Sequence, residues 1–303
     1  MRLRLGARGS ALSRVQAEWV ARAVAQRTGV EVEIVTIRTT GDRLSAAGSP
    51  VGGKGDFTKE LDAALLAKEI DFAVHSLKDV PSAMPGGLDL AAVPKREDPR
   101  DVLASAPRRA FRDLPRGARV GTSSPRRRAQ ILAVRPDFVV SDARGNVDTR
   151  LRRLAEGKWD AIVLARAGLA RLGRIDEVCD VFEPDVVLPA IGQGALAVVA
   201  RSDDGSVRDV LATIEDAVSR AEASAERGLL AGLEAGCQAP VAGLARAAEG
   251  RLSLTGAVFS RDGRRIVRES AEDAAERAED LGRALADKLL ARGAAGILAG
   301  ATA

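Results

Sequence analysis

Histidine occurs once in the 303 residues, at His75, tyrosine not at all, and cysteine twice, at Cys179 and Cys237. One histidine and two cysteines without metal-ligand spacing argue against a metal site, and two thiols are too few for a disulfide framework. A cysteine function would be nucleophilic or a point of covalent attachment. Aromatic residues make up 3% of the chain. Its most basic stretch has only Phe111, Phe138 and Trp159 to stack bases, and no groove-reading motif, so nucleic acid is not the expected partner. No apolar run approaches the roughly 18 residues of a membrane span. The N-terminus turns polar and basic too early for a signal peptide. The expectation is a cytoplasmic monomer with no membrane partner.

Lysine is also scarce: 7 of the 46 basic residues are Lys and 39 are Arg. Arg presents a planar fork that binds carboxylate or phosphate in paired hydrogen bonds, so the bias suits a polyanionic ligand. Position says more than number. Residues 105 to 175 hold 17 Lys and Arg against 6 Asp and Glu, a local +11 in a chain of net +4. One region is set apart as an anion-attracting surface. The length allows two or three domains.

The chain opens with a short strand, Leu3 to Ala7, then Arg8-Gly9-Ser10 and a helical pattern with Leu12, Val15, Trp19 and Val20 on one side. Ser10 is placed as an N-cap, which aims free backbone N–H groups and Arg8 at whatever lies above the strand end. Glu31 to Arg38 alternates like a strand, and a Gly/Ser/Ala stretch containing Gly52-Gly53-Lys54-Gly55 reads as a loop that closes over a site. It lacks the Gly-Lys-Ser/Thr ending of a nucleotide-binding loop. Thr58 is a candidate cap for a helix over Phe57 to Lys68. Ile70 to Val74 reads as a buried strand that delivers His75-Ser76-Leu77-Lys78-Asp79-Val80-Pro81 to its carboxyl end, where α/β sheets place ligands. Asp79 is thereby a candidate catalytic carboxylate. A strand near Leu88 to Val93 completes a mainly parallel sheet.

Pro94 to Asp101 is a charged, proline-bounded connector, read as a crossing between domains. Beyond it Gly121 leads into Thr122-Ser123-Ser124-Pro125-Arg126-Arg127, with Ser124 as N-cap and Pro125 at the first helical position. Arginines recur after each later strand, at Arg144 beside Gly145, at Arg150 and at Arg171. Gly192-Gln193-Gly194 precedes an apolar run, Leu196 to Ala200, and suits a hinge where the chain passes back. The C-terminal third gives a helical stretch, a loop around Cys237, a hairpin turning at Asp262-Gly263, and a final helix with Leu281, Leu285 and Leu289.

Taken together, Arg8-Gly9-Ser10-Ala11-Leu12, Gly52-Gly53-Lys54-Gly55 with Phe57, His75 to Pro81, Arg96 to Asp101, Gly121 to Ser124, Arg126-Arg127, Arg144-Gly145-Asn146-Val147, Thr149-Arg150-Leu151, Arg171, Gly192-Gln193-Gly194 and Gly236-Cys237-Gln238 closely resemble the hydroxymethylbilane synthase, or porphobilinogen deaminase, family. The resemblance runs in family order to about residue 245. It implies two periplasmic-binding-protein-like lobes with mainly parallel sheets plus a small α+β domain. The lobes would be residues 1–95 with 196–216, and 100–191, and the small domain 217–303. It also implies a dipyrromethane cofactor joined to Cys237 by a thioether, onto which four porphobilinogen molecules are condensed with loss of ammonia before hydrolysis releases the linear tetrapyrrole.

Under that resemblance Asp79 is the catalytic residue, and Arg8, Ser10, Lys54, Phe57, Lys78, Thr122, Ser123, Ser124, Arg126, Arg127, Arg144, Gly145, Arg150, Arg171 and Gln193 bind cofactor and substrate. The chemistry agrees, because each pyrrole unit brings an acetate and a propionate and no metal is needed to hold them. A fixed carboxylate can hydrogen-bond pyrrole N–H groups and stabilise the cations formed when ammonia leaves. His75 is assigned no chemistry and is expected to position the turn. The alternative is a non-catalytic two-lobed anion-binding or regulatory protein, using the same arginines without Asp79 and Cys237 chemistry.

Overall fold

In the computed structural model, which describes residues 1–46, 56–235 and 239–302, the opening alternation folds as strand β1 (Arg2–Arg8), with Leu3, Leu5 and Ala7 in the core. Helix α1 (Ala11–Thr28) follows. Ser10 caps it by accepting from the Ser13 N–H, and Gly29 closes it at φ +70°, a conformation that favours glycine. The buried stripe of α1 is Ser13, Gln16, Ala17, Val20 and Val24. Of the expected side, Leu12, Val15, Trp19 and Val20, only Val20 is on the packed stripe, and Trp19 is 42% exposed. Small side chains on the inner face let the helix lie close to the sheet, which a count of large apolar residues misses.

Strand β2 (Glu31–Ile37) pairs parallel with β1, followed by helices α2 (Thr40–Ala46) and α3 (Lys59–Leu66). Thr58 precedes α3 with near-helical dihedrals and makes no side-chain capping bond, unlike the expected cap. Strand β3 (Phe72–Ser76) pairs parallel with β1, and β4 (Leu88–Ala92) follows. The chain next forms β5 (Asp101–Ser105), β6 (Arg119–Gly121), helix α4 (Pro125–Val134), β7 (Val139–Ser141), helix α5 (Val147–Ala155), β8 (Ala161–Ala165), helix α6 (Arg166–Arg171) and β9 (Asp180–Val181). Strand β10 (Leu196–Arg201) then joins the first sheet.

The two five-stranded sheets have corresponding orders, β2-β1-β3-β10-β4 and β7-β6-β8-β5-β9. In each, one strand, β10 or β5, is antiparallel to both neighbours, and the other four share a direction. The reversed strand is in both cases the first one formed after the chain changes unit, at Glu97–Asp98 and at Gln193–Gly194. Each sheet with its helices is an α/β lobe built on a mainly parallel sheet. By compactness, Met1–Glu97 groups with Gly194–Arg220, and Asp98–Gln193 with Ala221–Ala303.

Helix α7 (Gly205–Ala212) covers the first sheet, and α8 (Ala217–Gly232) leads to a three-stranded antiparallel sheet of β11 (Val241–Ala248), β12 (Arg251–Phe259) and β13 (Ile266–Ala274). Helices α9 (Ala278–Ala291) and α10 (Ala294–Thr302) end the chain. Leu281, Leu285 and Leu289 are all buried in the core of this α+β part, as their spacing predicts. The hairpin turns at Gly263, φ +74°, where expected. A side chain there would strike the Ala129 carbonyl of α4. Ala129 and Leu188 share a buried cluster with Ala242, Leu244, Ala257 and Phe259, so the C-terminal sheet braces α4.

Candidate active site

Strands β1 and β3 are parallel neighbours, so their carboxyl ends open on the same edge of the sheet. From β1 come Arg8 and Ser10; from β3 comes Ser76, followed by a single 3-10 turn, Leu77–Asp79. Together with Leu12, Ser13, Gln16, Phe57, Val74 and His75 these residues line a concavity of about 60 Å³ that includes Asp79. Gln16 ties the two ends together by donating to Ser76 Oγ at 3.0 Å.

Arg8 is held from two sides. Its Nε and Nη2 donate to Asp42 at 3.1 and 2.5 Å, and its guanidinium lies 3.9 Å from the centroid of the Phe57 ring. Burial pushes the Asp42 carboxyl up, but its bonds from Arg8 and Thr39 outweigh that and leave it below the usual carboxylate range. The half-buried Asp79 carboxylate makes no hydrogen bond or ion pair among the described residues. Lys78 precedes it in the turn, also half-buried. His75, expected in the exit segment, remains within β3 opposite Ala197 and is 5% exposed.

The second unit repeats the strand–serine–helix entry. Ser124 caps α4 by accepting from the Arg127 N–H, Pro125 is the first helical residue, and Thr122 Oγ1 accepts from the Ser124 N–H. Thr122 is buried and Ser123 exposed. Arg126 and Arg127, expected as carboxylate ligands, turn inward onto the fully buried Asp101. Gln193 joins them, its Nε2 donating to Asp101 at 2.9 Å and to the Pro99 carbonyl at 2.7 Å. Burial alone would raise the Asp101 carboxyl, but the two guanidiniums hold it far below the usual range. Two cations on one anion leave a net positive charge there.

Gly145, at φ +103°, and Asn146 begin α5, and Asn146 caps it by accepting from the Thr149 N–H at 2.9 Å. Arg150 donates from Nε to the Gly145 carbonyl at 2.8 Å and has no carboxylate partner among the described residues. Burial, and then the charge of Arg127, lower its pKa to about 10. Such a guanidinium is poised for an anion. Arg144 is paired with Asp142 at the surface, and Arg171 ends α6. The residues missed in sequence were Gln16, Asp42 and Asp101. Each acts on a partner distant in sequence or, for Asp42, inside a loop whose fold the local pattern did not fix. Lys54 and Cys237 lie outside the described residues.

Residues 3–209 match the dipyrromethane cofactor binding domain of porphobilinogen deaminase, and residues 220–291 match its C-terminal domain. The porphobilinogen deaminase of Syntrophobacter fumaroxidans is 47% identical over 298 residues, which cover 98% of this chain and 96% of that protein. That of Desulforudis audaxviator is 50% identical over 297 residues, covering 97% and 96%. The chain belongs to the porphobilinogen deaminase family. Among solved structures it is similar to the BvgS VFT2 domain of Bordetella pertussis, with a TM-score of 0.44 and 16% identity over 70% of this chain and 86% of that one.

The dipyrromethane cofactor of the porphobilinogen deaminase family is a polycarboxylate with ring N–H donors. Each unit carries groups of the kind it needs. In the second unit Arg150 is a desolvated cation without a counter-charge among the described residues, and in the first Asp79 is a carboxylate without a donor among them. These are the two kinds of group that carboxylate arms and pyrrole N–H groups would satisfy. Among the described residues no helix is long and apolar enough to cross a membrane.

Proposed function

We propose that the chain catalyses the reaction of its family, the stepwise deaminating condensation of four porphobilinogen molecules and hydrolytic release of linear hydroxymethylbilane, with Asp79 as the catalytic residue. The observation that carries this reading is the Asp79 carboxylate, lining a concavity beside Arg8 yet bonded to nothing among the described residues. When bound, the dipyrromethane supplies the pyrrole end to which substrate is joined, and Cys237 is its point of thioether attachment.

Asp79 accepts hydrogen bonds from pyrrole N–H groups. It also stabilises the cation left when porphobilinogen loses ammonia. Arg8, with Phe57 against its face and Asp42 behind it, offers the substrate carboxylates a guanidinium whose position is fixed. The Ser10-capped end of α1 adds backbone donors. Lys54 and Lys78 are further cationic donors. In the second unit, Arg150, Arg144, Arg171 and the net positive Arg126–Arg127–Asp101 cluster attract the acetate and propionate arms. Thr122, Ser123, Ser124 and the backbone at Gly145 line the same ends, while Gln193 fixes Asp101. We assign the catalytic carboxylate to a lobe of residues 1–95 with 196–216, the arginine-rich binding surface to 100–191, and the attachment loop to a domain of 217–303. We also assign the protein to the cytoplasm, as a monomer without membrane or nucleic-acid partner.

Intact-protein mass tests the reading. The purified protein is expected to exceed its sequence mass by two linked pyrrole units, and Cys237→Ser to remove the excess. A folded protein that carries no adduct and acquires none from porphobilinogen is instead a non-catalytic anion binder.

A further inference from the structure

Two buried side-chain polar atoms among the described residues have no hydrogen-bond partner, Glu60 Oε2 and His75 Nε2. The other oxygen of Glu60 accepts from the Thr40 N–H and hydroxyl at 2.7 and 2.6 Å, so that carboxylate is anchored. No hydrogen bond holds the His75 ring among the described residues. His75 is among the residues that line the same concavity as Arg8, Ser10 and Asp79, while its Nε2 is itself buried. An orphaned polar atom on such a residue is one that a ligand atom satisfies once the ring turns toward it.

The surroundings select the ligand atom. Arg8 and the capped end of α1 offer donors to an anion, while Asp79 is the acceptor for ring N–H groups. Burial, and then the charge of Arg8, hold the imidazole neutral, with a pKa of about 4. A neutral donor can stand beside Arg8 without the repulsion that a second fixed cation would bring. We propose that His75 is a substrate-contacting residue, whose Nε2–H donates to a carboxylate of the pyrrole unit that Arg8 also holds. This rests on the assignment of the concavity to porphobilinogen made above.

Because His75 is the only histidine, the holoenzyme labelled with 15N-histidine gives one imidazole spectrum, free of overlap. The probe is a porphobilinogen analogue blocked at its free α-carbon, with binding followed separately by calorimetry. At saturation Nε2 is expected to be protonated and its resonance displaced. Methyl esterification of one arm, acetate or propionate, should abolish the displacement, and esterification of the other should leave it. Saturable binding with Nε2 unprotonated or unmoved overturns the role of His75 alone, whereas failure of the analogue to bind overturns the site and the role together. In turnover, His75→Phe is expected to raise KM about tenfold with kcat little changed, as for loss of a hydrogen bond to a charged group. His75→Gln, whose amide restores a donor, should recover most of that loss. An unchanged KM in a folded His75→Phe enzyme also overturns the proposal.

Discussion

Arg127 holds Asp101 through two hydrogen bonds to one carboxylate oxygen, from Nε at 3.0 Å and from Nη2 at 2.7 Å. Arg126 takes the other oxygen at 2.6 Å, and Asp101 is fully buried. The carboxylate sits at the first position of β5, the reversed strand of its sheet, and its partners sit in the first turn of α4. One buried charge therefore fixes the direction of a helix N-terminus relative to the sheet. Removing it leaves two guanidiniums buried without a counter-ion. Asp101→Ala is expected to destabilise the protein by about 3–5 kcal/mol, measured by urea denaturation. A loss under 1 kcal/mol would show that water replaces the carboxylate.

Arg150 presents the opposite situation. Its desolvated guanidinium has no carboxylate partner among the described residues, so its presence is unfavourable to folding until an anion arrives. Arg150→Met is expected to leave the Tm unchanged or higher while raising KM for porphobilinogen at least tenfold. A variant that loses stability and keeps its KM would make Arg150 a structural residue. The pair of measurements separates binding machinery from scaffold better than activity alone.

Acid sensitivity offers a third check. The His75 pKa is lowered from 6.5 to about 4 in the folded protein. Between those values the unfolded chain binds the proton and the folded one does not, so stability rises with pH through this window and is flat above it. Acidifying from pH 7 to pH 4 should remove roughly 3 kcal/mol through this group. The quantity to measure is the difference in urea stability between wild type and His75→Gln across that range, since carboxylates titrate in both. Parallel curves would refute the burial of a neutral imidazole.

Local chemistry was the legible part of this fold. Ser10 and Ser124 cap α1 and α4 as a serine before a helical pattern predicts, and Asp262-Gly263 turns the hairpin between β12 and β13. Such features depend on neighbours three or four residues away. Asp101 was hidden because its partners lie 25, 26 and 92 residues along the chain. A charged residue within a charged connector reads as solvated until the sheet is assembled. The inner face of α1 is legible only in part for a related reason: Val20 packs as expected, but Ala17 and Ser13 pack because they are small, and Trp19 stays outside.

The hairpin tip gives a prediction about support rather than chemistry. Gly263 needs a positive φ of 74° and meets the α4 backbone at Ala129, so both conformation and space exclude a side chain. Gly263→Ala is expected to cost about 1–3 kcal/mol. Since α4 carries Arg126 and Arg127, the variant should also raise KM. A lowered Tm with an unaltered KM would show that the hairpin supports stability alone.

The decisive substitution is Asp79→Asn. The carboxylate makes no bond among the described residues and is half-buried, so the amide, of nearly equal volume, disturbs no contact that the fold uses. The Tm is expected to stay within a degree or two. Asparagine can still accept one hydrogen bond from a pyrrole N–H, which preserves much of ground-state binding. It carries no negative charge to set against the cation formed when ammonia leaves, so the loss falls on the chemical step. Turnover should drop by about 10²- to 10⁴-fold with KM little altered, read from steady-state release of ammonia. Near-normal turnover in a folded Asp79→Asn enzyme would remove Asp79 from the mechanism and shift the search for the charged group to another residue of the concavity.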